Sequence, residues 1–259
     1  MLKNAMNGQI KYNFYATLLD GYQNYLSSSE TYAKYWGFSE EPPFTEEEFE
    51  KQQFQSLIDR INRVPFDSEA ADQGTAFNEV VDCLILNCTS DKMDIKSNKE
   101  TGMITATFNE RTFDFPIELC REFQNYYKGA IPQVRTEAIL PTKFGNVLLY
   151  GYIDELMPTS IHDIKTTKSY TAGDFKDHWQ HIVYPYCMNA QGNKIRDFEY
   201  NIATINRSKY GVNWETFTEY FSYNPETDLP KLTAHVEGLI EFIELNRALI
   251  TDKKIFNEE

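Results

Sequence analysis

Basic residues are scarce in this chain. Twenty-five lysines and arginines stand against 39 aspartates and glutamates, a formal net charge of −14. That balance argues against tight non-specific adhesion to polyanions, which is driven by neutralising phosphate charge. Cysteine is sparse as well. Cys83, Cys88, Cys120 and Cys187 are scattered with no C-x-x-C pair, a spacing that does not suggest an iron–sulfur cluster and that is expected to leave four buried thiols. No apolar run approaches the ~18 residues a membrane span requires. Met1-Leu2-Lys3-Asn4 leads into Asn and Gln rather than an apolar stretch, so no secretory leader is visible and a cytoplasmic location without a membrane partner is expected. Internal repeats and low-complexity linkers are also missing.

The chain has 259 residues, enough to bury a sizeable core. Aromatic residues are plentiful at 15%, with 17 Tyr and 18 Phe. Part of the acidic excess is local: residues 40–50 hold six glutamates and no base, and read as a solvated face. Phe14, Leu18, Tyr22 and Tyr25 recur at helical spacing, so residues 12–27 are expected to form an amphipathic helix. Pro42-Pro43 breaks the chain. Thr45 with Glu48 then reads as a capping box for a helix running to about Asn62, with Phe49, Phe54, Leu57 and Ile61 inward and Pro65 beyond its end. Residues 74–85 read as a helix entered through Gly74. Residues 101–108 and 113–115 suggest strands joined across Asn109-Glu110, followed by a helix near 117–128.

The strand signal then strengthens over 134–140, 147–154 and 161–166. Residues 174–189 suggest a helix that Pro185 should kink or end early. Strands are expected at 198–206 and 215–223, and a closing helix at 232–250 with Leu232, Val236, Leu239, Ile240 and Ile243 on one stripe. The simplest organisation is one α/β domain over 1–259, with an N-terminal helical part (1–73), a core (74–225) and a closing helix (226–259).

Chemistry concentrates in Gly151-Tyr152-Ile153-Asp154 and, nine residues after that aspartate, Asp163-Ile164-Lys165. Side chains alternate along a strand, so Asp163 and Lys165 share one face and Ile164 takes the other. Two converging carboxylates suit a hard divalent cation such as Mg²⁺. A lysine beside it can hold a phosphate or orient a water, the minimum equipment for metal-assisted phosphodiester hydrolysis.

Taken with Gln180-His181-Ile182-Val183-Tyr184, these motifs resemble the PD-(D/E)XK nuclease superfamily. The nearest branch is the RecB-like group of phage recombination exonucleases, without the iron–sulfur cysteines of its CRISPR-associated members. The ordered set G-x-x-D, D-x-K-T and Q-x-x-x-Y carries the resemblance over roughly 74–184, and Ala16-Thr17-Leu18-Leu19 looks like the family's opening. The resemblance implies a restriction-endonuclease-like core, a mixed central sheet flanked by helices with an N-terminal helical elaboration. It implies Mg²⁺ or Mn²⁺ held by Asp154, Asp163 and the Ile164 carbonyl, with Lys165 on the scissile phosphate or the attacking water. Gln180 and Tyr184 would support that site, and Glu137 stands where the family has its strand glutamate. Where the family has an upstream histidine, this chain has Asn78, a weaker neutral oxygen ligand; Glu79 or Asp82 would be its substitutes.

The function implied is a metal-dependent DNA exonuclease of phage or prophage recombination and repair. Its partners would be DNA and a recombination or single-strand-annealing protein. The alternative is a nuclease-fold DNA-binding accessory that cuts poorly, which Asn78 and the acidic charge favour. A sugar hydrolase built on paired carboxylates is disfavoured by the lysine. Polarity, strand preference and oligomeric state stay open. Taken singly, Asp154 reads as a turn residue, Lys165 as a solvated surface group and Glu137 as an exposed strand carboxylate. His178 and His181 read as phosphate contacts or surface groups, and His162 should point away from the Asp163 face.

Overall fold

The computed structural model describes residues 8–209 and 211–258. The first described element overturns a sequence expectation. Ile10–Tyr15 is a strand, β1, and the helix α1 begins only at Ala16, running to Leu26. Tyr12 and Phe14 alternate inward on β1 as period-2 residues should; the four-residue step from Phe14 to Leu18 coincides with a helical one and so misleads. A short helix the sequence reading missed, α2 (Ser28–Trp36), precedes α3 (Glu46–Ile61). The α3 capping box forms as expected. Glu48 N–H donates to Thr45 Oγ1 at 3.3 Å, and Thr45 N–H donates to Glu48 Oε2 at 2.8 Å.

The next helix, α4 (Glu69–Leu86), starts five residues earlier than expected, because Ser68 caps it by accepting from Ala71 N–H at 3.3 Å. Gly74 is interior to it. A small antiparallel sheet follows: β2 (Asp94–Asn98), β3 (Met103–Phe108) and β4 (Arg111–Pro116). The β3–β4 turn places Asn109 and Glu110 at φ 49° and 63°, the two-residue geometry that matches strand twist. After α5 (Ile117–Tyr126) come β5 (Ile131–Thr142), β6 (Gly145–Leu156) and β7 (Ser160–Thr167).

Helix α6 (Gln180–Ala190) starts six residues later than expected and runs through Pro185. Losing one helical bond there is offset by burying Val183, Tyr184, Cys187 and Met188. Strands β8 (Asp197–Ser208) and β9 (Gly211–Ser222) precede the long helix α7 (Pro225–Leu245), whose expected stripe from Leu232 to Ile243 is buried. Three cysteines are buried as expected; Cys88 is exposed. The glutamates of 40–50 are exposed. Among the described residues, no helix is long and apolar enough to cross a membrane.

The six-stranded sheet is mixed. β1 and β6 are parallel, β6 is antiparallel to β5 and β7, β7 and β8 are parallel, and β9 closes antiparallel on β8. One face packs on α1, α3, α6 and α7 through residues such as Leu18, Ile61, Val183 and Leu239. The other packs α4, α5 and the small sheet over β7 and β8, through Phe77, Phe115, Leu119 and Ile164. β8 is buried on both faces, as expected of a central strand.

One consequence positions the site. β5 covers the whole of one edge of β6, from Gly145 to Leu156. The other edge is shared: β1 takes residues 146–150 and β7 takes 155–156. Residues 151–154, the G-x-x-D motif, therefore lie at a fork where neither neighbour pairs with them.

Candidate active site

The fork opens a cleft of about 430 Å³. Asn78, Asp154, Asp163, Ile164, Lys165, Gln180 and Tyr184 all line it. Alternation along β7 places Asp163 and Lys165 on one face, with the Lys165 ammonium 2.7 Å from Asp163 Oδ2. Ile164 packs into the apolar cluster on the opposite face. Its N–H bridges the fork, donating to Asp154 Oδ2 at 2.9 Å. Within a strand the N–H and C=O of one residue point to the same edge, so the Ile164 carbonyl opens into the same gap.

Helix α6 supplies a clamp. Gln180, its first residue, accepts from Lys165 Nζ at 2.8 Å and donates through Nε2 to Asp163 Oδ1 and, at 3.4 Å, to the Tyr184 hydroxyl. One helical turn on, the Tyr184 ring lies against Gly151, where a Cβ would sit 2.5 Å from Tyr184 Cε1. Gly151 is thus a matter of space: the motif's glycine admits the tyrosine of the helix.

Helix α4 contributes Asn78, whose Nδ2 donates to Asp154 Oδ2 at 3.1 Å. Its Oδ1 is buried without a hydrogen-bond partner. Neither substitute considered from sequence reaches the cleft. Glu79 is occupied by Lys92 at 2.6 Å and Ser90 at 2.7 Å, and Asp82 is buried away from it, its carboxyl pushed up to about 6 by that burial.

Glu137 also stands apart. It sits on β5 opposite Tyr150, exposed and paired with Arg135 at 2.7 Å. Asp154 lies four positions along β6 from Tyr150, about 13 Å at a strand's rise.

The histidines divide. His162 turns away from the Asp163 face as expected, its ring bonded to Ser160 Oγ at 2.7 Å and Asn201 Oδ1 at 3.0 Å. His181 is no surface group. It stacks on Phe221 at 4.1 Å, and burial lowers its pKa to about 4. His178 stands 3.5 Å from Asp20.

The electrostatics follow from this enclosure. Burial first, then the charge of Asp163, pushes the Asp154 carboxyl up to about 8. Burial works to lower the Lys165 ammonium, but the charge and hydrogen bond of Asp163 prevail and hold it above its ordinary value. Its side chain keeps 24% of its surface open.

These donors fit a hard cation. Two carboxylates, an unpaired amide oxygen and a strand carbonyl are oxygen ligands of the kind Mg²⁺ and Mn²⁺ take, and the orphaned Asn78 Oδ1 lacks any other partner. Among the described residues no set of three or more His, Cys, Asp or Glu side chains is disposed to hold a metal, so an amide and a carbonyl would have to complete the sphere.

Tyr15, Ala16 and Thr17 form one wall, the last two from the segment that resembles the family's opening, where α1 begins without a side-chain cap, so its first N–H groups favour negative charge nearby. Tyr150 and Tyr152 form another, together with Arg63. The tyrosines were legible as alternate residues leading to Asp154. Arg63 was not, because it reaches the site from the end of α3. Its backbone is left-handed, φ 53°. Its Nε meets Asp252 at 2.6 Å and its Nη2 donates to the Tyr150 hydroxyl at 2.9 Å.

No family model matches this chain, and no curated protein matches it. Among solved structures, one titled "Crystal structure of SSO0001" is similar over 93% of this chain and 82% of that one, at 11% identity and a TM-score of 0.44. That likeness is too low to carry an argument about family. The chain is an α/β protein whose mixed central sheet is flanked by helices.

Proposed function

We propose that the chain is a Mg²⁺- or Mn²⁺-dependent deoxyribonuclease on a restriction-endonuclease-like core, acting as an exonuclease on DNA ends. One observation carries this reading: Asp154, Asp163, Lys165, Gln180 and Tyr184, drawn from three separate motifs, line a single cleft with Asn78. Asp154, Asp163, Asn78 Oδ1 and the Ile164 carbonyl would hold the cation. When bound, it would activate water and offset charge growing on the phosphate. Lys165 would hold a non-bridging phosphate oxygen, and Gln180 would keep both Asp163 and Lys165 in place. The uncapped start of α1 would favour the approaching anion.

The test uses end-labelled linear and circular DNA with Mn²⁺. Linear DNA should shorten while circles survive. Asp163 is buried and Lys165 partly open, so removing either charge leaves the other unpaired, and truncation would add a cavity to that cost. Asp163→Asn and Lys165→Gln are therefore the better probes. Both should lose cleavage with unchanged circular dichroism, and activity retained in either would sink the mechanism. A second reading, a DNA-binding accessory that cuts poorly, draws on the Asn78 amide at Asp154. Absence of Mn²⁺ binding at millimolar levels would favour it.

A further inference from the structure

The cleft does not end at Asp154. On one face of β6, Leu148, Tyr150, Tyr152 and Asp154 follow at alternate positions, about 6.7 Å apart. The first three also line a second depression of about 540 Å³, which shares Arg63, Tyr150 and Tyr152 with the cleft. Helices α4 and α5 cover β7 and β8 on this side and leave this stretch open. Tyr152 is 53% exposed, a large ring standing on an uncovered sheet. Arg63, Arg135 and Lys254 stand around the row. Three cations on one patch are notable in a chain of net charge −14. Arg63 and Arg135 have acidic partners in Asp252 and Glu137, and Glu258 also lines the depression. A guanidinium has five N–H donors, so each retains capacity for a phosphate.

We propose that this face of β5 and β6 is a docking track for single-stranded DNA that leads a strand end to Asp154 and Asp163. The proposal rests on the nuclease reading above for what happens at the end of the track, but not for the binding itself. The free donors of Arg63 and Arg135, each beside an acid, can hold a phosphate, and the exposed ring selects the form of the strand. In a duplex the π-faces of the bases are covered by their neighbours and only backbone and groove edges are offered. A single strand offers a free base face to Tyr152, and such stacking contributes about 1–3 kcal/mol per base. Three partly paired cations are too few to hold a duplex by phosphate contacts alone at physiological salt. Stacking supplies what charge does not. The alternate spacing of β6 lets an extended strand run beside it residue by residue.

The full chain is titrated in EDTA against fluorescein-labelled oligothymidine and against a hairpin duplex of equal length, so that binding is read without hydrolysis. The single strand should bind at least about tenfold tighter. Tyr152→Ala should weaken single-strand binding about 5- to 150-fold, the span of one lost stack, and Tyr152→Trp should restore it. Arg135→Ala should reduce the slope of log affinity against log salt by about one. Lys96→Ala, on the distant small sheet, should change nothing. Equal or tighter binding of the duplex, undetectable binding of both, or an unaffected Tyr152→Ala would each overturn the track. Binding as expected without Mn²⁺-dependent cleavage would overturn the nuclease reading and leave the track standing. Cleavage with an indifferent Tyr152→Ala would do the reverse.

Discussion

Replacing Gly151 with alanine adds one methyl group at the point where strand and helix motifs touch. The added Cβ would lie 2.5 Å from Tyr184 Cε1, 2.9 Å from its hydroxyl oxygen and 3.1 Å from Cζ, all inside van der Waals contact. The ring has little freedom to withdraw, since Tyr184 is 4% exposed and packed in the main core. Overpacking of this kind costs about 1–3 kcal/mol. For a chain of 259 residues that lowers Tm by roughly 2–12 °C, taking about 2–4 °C per kcal/mol. Urea unfolding followed by circular dichroism measures the cost directly. A double-mutant cycle isolates its origin. Tyr184→Ala alone should cost about 3–5 kcal/mol through the cavity it leaves. In that background Gly151→Ala should cost about 1–3 kcal/mol less than in the wild type, because the clash is gone. A Gly151→Ala variant within 0.5 kcal/mol of wild type, or strict additivity in the cycle, would refute the idea that the glycine is there to admit the ring.

Further outcomes concern pH and capping. Burial lifts the Asp154 and Glu155 carboxyls to about 8 and about 9, so the folded, metal-free protein retains protons that the unfolded chain has released. Their contribution to stability is full below the ordinary carboxylate range and is lost as pH rises through 8 to 9, about 1.4 kcal/mol per pH unit for each proton involved. Urea unfolding in EDTA should therefore give lower stability at pH 8.5 than at pH 6, and Asp154→Asn should flatten the difference; the opposite slope would contradict the burial argument. Thr45→Ala should cost about 0.5–2 kcal/mol by removing the α3 cap, read as a shift in urea midpoint at constant m-value.

The motif residues were legible because their chemistry travels with local spacing. Asp163 and Lys165 share a face by strand alternation alone, and Gln180 and Tyr184 by one helical turn. What brings the three motifs to one cleft is not local. It depends on which stretch of β6 has no partner on one edge, and that follows from β1, which the sequence disguises as helix. Phe14 satisfies a period of two with Tyr12 and nearly a period of 3.6 with Leu18 and Tyr22. The boundaries of α4 and α6 also differ. At α4 the cap is Ser68, ahead of the more conspicuous Gly74, and at α6 residues 172–177 form turns that delay the helix to Gln180. Glu137 illustrates the limit of positional analogy: it occupies the expected strand, yet its carboxylate pairs with Arg135 well along β6 from Asp154. Arg63 had no sequence signal, because only the left-handed turn after α3 delivers it to the tyrosines.

The pairing of β1 with β6 also sets a timetable. Tyr12 meets Val147 and Tyr15 meets Tyr150, partners about 135 residues apart. At about 5–20 residues per second of synthesis, β1 waits roughly 7–27 s for the strand it joins. Until then its apolar face and backbone are without their native partner, and the wall formed by Tyr15, Ala16 and Thr17 has nothing to enclose. Contacts of such long sequence separation slow folding, and the cleft needs one more late arrival, the Gln180 end of α6. Whatever chemistry the site performs is therefore withheld from the growing chain until most of the molecule has been made.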